Sequence, residues 1–148
     1  MSLAQHLHRQ QLALQRLIDT LERERLALTA ARIDGQQLNA QTLRKQALLQ
    51  GLEALEAARR RGQQLRGYIA GAKGAAQAAR DEGCFALWGK VQELASRARH
   101  LNLLNGQTLQ VRLQQNQRLL NCLNEMAGHS LYGPDGRAHR RASLSGLA

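Results

Sequence analysis

The sequence predicts an all-α protein: an elongated antiparallel helical hairpin and a third long C-terminal helix forming a small bundle, followed by a flexible basic tail. Three observations carry this expectation. Leucine and alanine recur with glutamine and arginine, a helical vocabulary, while aromatic residues make up only 3% of the 148 residues. Apolar residues repeat in alternating steps of four and three, the spacing of a helical seam. Pro134 is the only proline, so the chain is interrupted mainly by its 13 glycines. The length suits one domain or two small ones. We expect a helical domain over residues 1–128 and a turn with a mostly flexible basic tail over 129–148.

The first helix is expected from about Leu3 to Arg32. Its seam reads Leu3, Leu7, Gln10, Leu14, Leu17, Leu21, Glu24, Leu28 and Ala31. Leu12, Ile18, Leu26 and Ile33 widen it, as if the helix touched more than one neighbour. Gln10 and Glu24 interrupt the apolar run, and their long side chains can snorkel outward from a packed seam. Asp34-Gly35 then punctuates the chain. An aspartate accepts hydrogen bonds from the free amides of a helix start, and glycine relaxes the backbone.

A second helix follows from about Gln36 to Arg66, with the stripe Leu38, Thr42, Lys45, Leu49, Leu52, Leu55 and Arg59. So short a connection between two long helices implies an antiparallel hairpin. At the usual rise, each arm is about 45 Å long. The next stretch is rich in glycine and alanine: Gly62, Gly67, Gly71, Gly74 and Gly83 fall close together. Each helical glycine costs about 1 kcal/mol relative to alanine, and few large side chains are present to offset that. The expectation is a mobile link over residues 67–81, with room for a short alanine helix between Ala72 and Arg80.

The third helix is expected from about Glu82 to Met126. Leu87, Val91, Leu94, Ala98 and Leu101 form one stripe; Leu109, Leu113, Asn116, Leu120, Leu123 and Ala127 form another. Phe85 and Trp88 are read as core plugs. Gly106 has two readings: a site of close backbone approach or bending, or a tolerated surface glycine. Each buried leucine contributes about 1.5–3 kcal/mol, while ordering each residue costs about 1.5 kcal/mol. A lone hairpin therefore falls short, and three helices sharing a seam are needed. The second stripe is left without an obvious partner inside the chain.

The formal net charge is +10, from 21 basic and 11 acidic side chains. From Arg97 onward there are seven arginines against Glu125 and Asp135. Such a balance suits an acidic partner, nucleic acid or simple solubility. Arg59, Arg60 and Arg61 make one basic patch, and Arg137, Arg140 and Arg141 another. No aromatic platform interleaves them, so nonspecific nucleic-acid binding is the weaker alternative and no specific nucleic acid is expected. Cys84 and Cys122 read as buried reduced thiols of a cytosolic protein. No secretion signal and no membrane span is evident, so no membrane insertion is expected. The five histidines form no metal-ligand spacing, and no phosphate-binding loop or nucleophile constellation occurs, so neither enzyme activity nor a cofactor or metal is expected.

The most distinctive residues lie after His100. Asn105-Gly106, Arg112-Leu113, Asn116, Leu120 and Leu123, followed by Leu131-Tyr132-Gly133-Pro134-Asp135-Gly136, resemble the FlgN family of flagellar type III export chaperones. The N-terminal part matches more loosely, through a leucine-rich helix, an Asp-Gly turn and Lys45-Gln46-Ala47-Leu48-Leu49.

The resemblance implies a cytoplasmic, non-enzymatic chaperone without nucleotide. It would bind the C-terminal helical segments of the hook–filament junction proteins and prevent premature assembly. It would also deliver them to the flagellar export gate or other soluble export components. On this reading Leu109, Leu113, Asn116, Leu120, Leu123, Leu131 and Tyr132 contact cargo, with Arg112 and Arg137 as rim charges. Asn105, Gly106, Gly133, Pro134, Asp135 and Gly136 shape the backbone and register. Pro134 suits the second position of a turn, with Gly136 at the fourth. Self-association is compatible with the same leucines. A structural coiled-coil or adaptor protein that oligomerises through them is the alternative.

Overall fold

A computed structural model describes residues 1–128. The turn and basic tail expected over 129–148, with Leu131, Tyr132, Gly133, Pro134, Asp135, Gly136 and Arg137, lie outside the described residues. Four helices occur in order: α1 (Leu3–Thr29), α2 (Gly35–Leu65), α3 (Ala72–Asp81) and α4 (Phe85–Met126). The chain divides into two compact units, Met1–Gly106 and Gln107–Ala148, and α4 contributes residues to both.

In the first unit, α1 starts on a reciprocal cap that the apolar spacing did not reveal. The Gln5 amide donates to Ser2 Oγ, and the Ser2 amide donates back to Gln5 Oε1. The seam then buries Leu3, Leu7, Gln10, Leu14, Leu21, Glu24 and Leu28, with Leu17 packed against it. Of the widening residues only Ile18 is buried; Leu12, Leu26 and Ile33 are exposed. The period explains this. At about 100° per residue, Leu12 and Leu26 fall nearly opposite the seam. The helix ends at Thr29, so Ala31 lies beyond it and is exposed.

Asp34 caps α2 as expected, its carboxylate accepting from the Gln36 and Gln37 amides. Gln10 meets Glu56, and Glu24 meets Lys45, so α2 runs antiparallel to α1. Leu38, Thr42, Lys45, Leu52 and Leu55 are half-buried and Arg59 is buried, but Leu49 is exposed and Leu48 takes its place. Leu48 and Leu49 lie about 100° apart around the helix, and Leu48 falls on the side of half-buried Leu52 and Leu55 and buried Arg59.

The glycine- and alanine-rich stretch is not simply a link. Its short alanine helix forms as α3, with Gly74, Ala75, Ala78 and Ala79 buried. Ala78 and Ala79 join the main core. Small residues here bury by close backbone approach, not by side-chain bulk. A Cβ on Gly74 would lie 1.7 Å from the Ile69 carbonyl oxygen, so only glycine fits. Gly83, at φ 70°, then turns the chain into α4, and the Cys84 amide donates to the Ala79 carbonyl at 2.8 Å.

Within this unit α4 adds Val91, Leu94 and Ala98 to the core, with Leu87, Trp88 and Leu101 packed against it. Arg97 pairs with Glu22 at 2.7 Å, and Asn105 donates to the Leu21 carbonyl and to Glu24. Leu87 lines a surface depression with Ala4 and His8, so α1 and α4 run in the same direction. Phe85 departs from its expected role as a core plug. It is exposed, with the Arg80 guanidinium 4.6 Å from its ring centroid.

Candidate functional site

Two polar clusters hold the first unit together, and both arise from residues that interrupt the apolar stripes. Glu24, 5% exposed, accepts from Lys45 Nζ at 3.1 Å and from Asn105 Nδ2 at 3.0 Å. Asn105 also donates to the Leu21 carbonyl at 2.9 Å, and Lys45 donates to Asn102 Oδ1. This node joins α1, α2 and α4. Glu24 therefore does not snorkel to solvent: its charge is buried and matched. Such a node fixes register, because a slip by one residue strands every member.

The second cluster is centred on Arg59. Its guanidinium donates to both carboxylate oxygens of Glu56 and to Gln63 Oε1. It also sits 5.0 Å from the Trp88 ring centroid. Gln10 donates to the same Glu56 carboxylate. Burial alone would raise the Glu56 pKa, but hydrogen bonds from Arg59 and Gln10 and the charges of Arg59 and Arg60 hold it below the usual carboxylate range. So the Arg59–Arg61 run is not a free phosphate-binding patch, since its first member is committed to the interior.

Asn105 and Gly106, read as conformational positions, occupy different settings. Asn105 is an interior residue of the bundle. Gly106 is exposed within continuous helix, and a Cβ there would meet nothing within 4 Å. That matches the surface-glycine reading and excludes close backbone approach at this position.

The second unit, taken by itself, presents a different surface. Leu109, Leu113 and Leu123 are exposed, Leu113 at 61%; Asn116 is exposed, and Leu120 and Arg112 are half-buried. At about 100° per residue these leucines lie within one narrow sector. The opposite side of this segment carries Gln107, Gln114, Arg118 and Glu125, all exposed, with exposed Val111 among them. Leu119 and Met126 are exposed on a flank, seven residues apart. Cys122 is also exposed here, not buried as expected, whereas Cys84 is buried and its thiol pKa is pushed up by that burial. Helical period puts Cys122 between Val111 and Met126 around the helix.

Among the described residues, no group of three or more histidine, cysteine or carboxylate side chains is placed to hold a metal ion. No helix among them is long and apolar enough to cross a membrane.

Comparison with known proteins adds an independent line. The family model described as FlgN protein matches residues 1–140. Two similar relatives are each called flagella synthesis protein FlgN. One is from Yersinia enterocolitica, the other from Yersinia enterocolitica serotype O:8 / biotype 1B (strain NCTC 13174 / 8081). Each is 48% identical over 59 residues, a stretch covering 40% of this chain and 40% of the relative. No solved structure matches.

Proposed function

The chain belongs to the FlgN family, and from that premise we propose that it is a cytoplasmic export chaperone of flagellum synthesis, whose cargo is the C-terminal helical segments of hook–filament junction proteins. It keeps those segments from assembling prematurely and passes them to the flagellar export gate or its soluble components. The observation that carries this reading is the leucine stripe of the second unit, where Leu109, Leu113 and Leu123 are exposed beside half-buried Leu120. Exposed leucines at helical spacing, backed by a mostly polar face, suit an amphipathic helix laid alongside them. Each leucine covered by cargo removes apolar surface worth about 1.5–3 kcal/mol from water. Asn116 sits within the same sector and would set the register of the cargo helix, with Arg112 at its rim. By the family resemblance we also assign cargo contact to Leu131 and Tyr132, a conformational role to Gly133, Pro134, Asp135 and Gly136, and a second rim charge to Arg137, all of which lie outside the described residues.

Co-expression with junction proteins from the same genome, followed by pull-down, tests this. Full-length junction protein should be captured, and junction protein lacking its C-terminal helix should not. Equal capture of both would refute the assignment. The same leucines also suit a second reading, a structural protein that self-associates through the stripe. Light scattering separates the two, because cargo should compete with or reorganise any self-association of a chaperone. A structural oligomer would ignore the junction-protein segment.

A further inference from the structure

We propose that the first unit carries a second docking site, distinct from the leucine stripe, for an acidic segment of a protein partner. The site is a cleft of about 630 Å³ lined by the last turns of α2, the start of α3 and the first turns of α4. That volume lies in the range of sites that enclose a small ligand or a few side chains.

The walls are fixed by bonds already made. Trp88 forms part of the lining, with the Arg59 guanidinium stacked on its ring at 5.0 Å. Arg59 is locked in turn by Glu56 and Gln63. Gln63 also donates to the Ile69 carbonyl at 2.6 Å and to the Gly71 carbonyl at 3.3 Å, which holds the segment between α2 and α3 in place. The tight seat of Gly74 against Ile69 sets α3 against the same segment. A cleft whose walls are pinned by buried polar bonds binds without first paying to order itself.

The lining defines the ligand. Trp88, Tyr68, Ala70 and Ala72 offer an apolar surface for one large apolar side chain. The Glu56 charge is matched by buried Arg59, which leaves Arg60 as the excess cation. Arg60 reaches Glu56 through Nε at 3.2 Å while its side chain stays 74% exposed. Gln64 and Gln92 line the cleft and are exposed, and primary amides suit the donors and acceptors of a peptide backbone. With a chain charge of +10, the long-range field favours an acidic partner. The occupant is therefore a short peptide segment with a large apolar residue against Trp88 and a flanking carboxylate on Arg60.

Trp88 is the only tryptophan in the chain, so its fluorescence reports occupancy directly. The full chain is titrated at low salt with the capped peptide acetyl-Glu-Glu-Leu-Glu-Glu-amide, with its lysine counterpart, and with a thymidine pentanucleotide. The acidic peptide should give a saturable change with a dissociation constant below about 1 mM. Arg60→Ala should weaken it about tenfold, the scale of one charge-assisted hydrogen bond. Ala72→Phe, which places a ring in the cleft from an exposed position, should abolish it while helical circular dichroism is retained. The proposal is overturned by no saturable change with the acidic peptide, or by an equal or stronger response to the lysine peptide or the pentanucleotide. Unchanged affinity in Arg60→Ala overturns it as well, whether or not Ala72→Phe folds.

Discussion

The two units use one apolar vocabulary to opposite ends. In the first, leucines at steps of four and three are buried, and the polar residues that interrupt them find partners within the chain: Gln10 on Glu56, and Glu24 on Lys45 and Asn105. In the second, Leu109, Leu113 and Leu123 at the same steps are exposed beside half-buried Leu120, and the interrupting Asn116 is exposed too. Spacing alone therefore identifies a helical face but not what it faces. The distinction lies in the polar interruptions. A buried acid or amide requires a matching group across the seam, and the first unit supplies one each time.

The largest expected effect separates the units by stability. Leu21 is 1% exposed, and Leu21→Ala should cost about 3 kcal/mol through lost burial and a residual cavity. Leu113→Ala, on the open stripe, should stay within about 0.5 kcal/mol. Urea unfolding followed by circular dichroism checks both, and a comparable loss in the two variants would erase the contrast.

The glycines sharpen it next. Gly74→Ala forces a Cβ onto a backbone carbonyl and should cost about 2 kcal/mol, because neither α3 nor the segment before it can yield without breaking the Gln63 bonds. Gly106→Ala, in open space within a helix, should instead stabilise the chain by about 0.5–1 kcal/mol. Thermal melts of the pair should move in opposite directions.

The smallest effect is in pH. The His6 imidazole is held below its ordinary pKa of 6.5, first by burial, then by the N-terminal ammonium, Arg9, Arg66 and Arg59. The unfolded chain therefore binds this proton at a pH where the folded chain still resists it. Stability contributed by the neutral ring falls as pH drops below about 6.5 and is fully lost below the depressed folded value. Glu56 adds a second loss further down, because its folded pKa lies below the ordinary 4.5 and its contribution disappears as pH falls through that folded value. Melting temperature against pH should decline in two stages, and His6→Gln should remove the upper one.

Much of this architecture was legible in the sequence. The helical hairpin, the Asp34 cap and the Val91–Leu94–Ala98 stripe followed from period and punctuation. The packing of α3 did not, because its burial depends on backbone contact at Gly74 and on alanines that carry little hydrophobic signal. Phe85 and Leu49 were misplaced for a related reason: large apolar residues were assigned inward by type, while position around the helix decides which way they face. Of the candidate site, the stripe was readable at Leu109, Leu113, Leu120 and Leu123. The interior role of Asn105 was not, since it requires knowing that Glu24 and Leu21 lie across from it. The Arg59 run looked like a surface patch until Trp88 and Glu56 were found around it.

The central claim is that the exposed stripe of the second unit holds cargo while the first unit holds the fold. Calorimetric titration of a junction-protein C-terminal segment into the Leu113→Asp/Leu120→Asp double variant tests it most directly, with circular dichroism run on the same sample. The account predicts wild-type helicity and no measurable binding. Wild-type affinity in the folded double variant would contradict it.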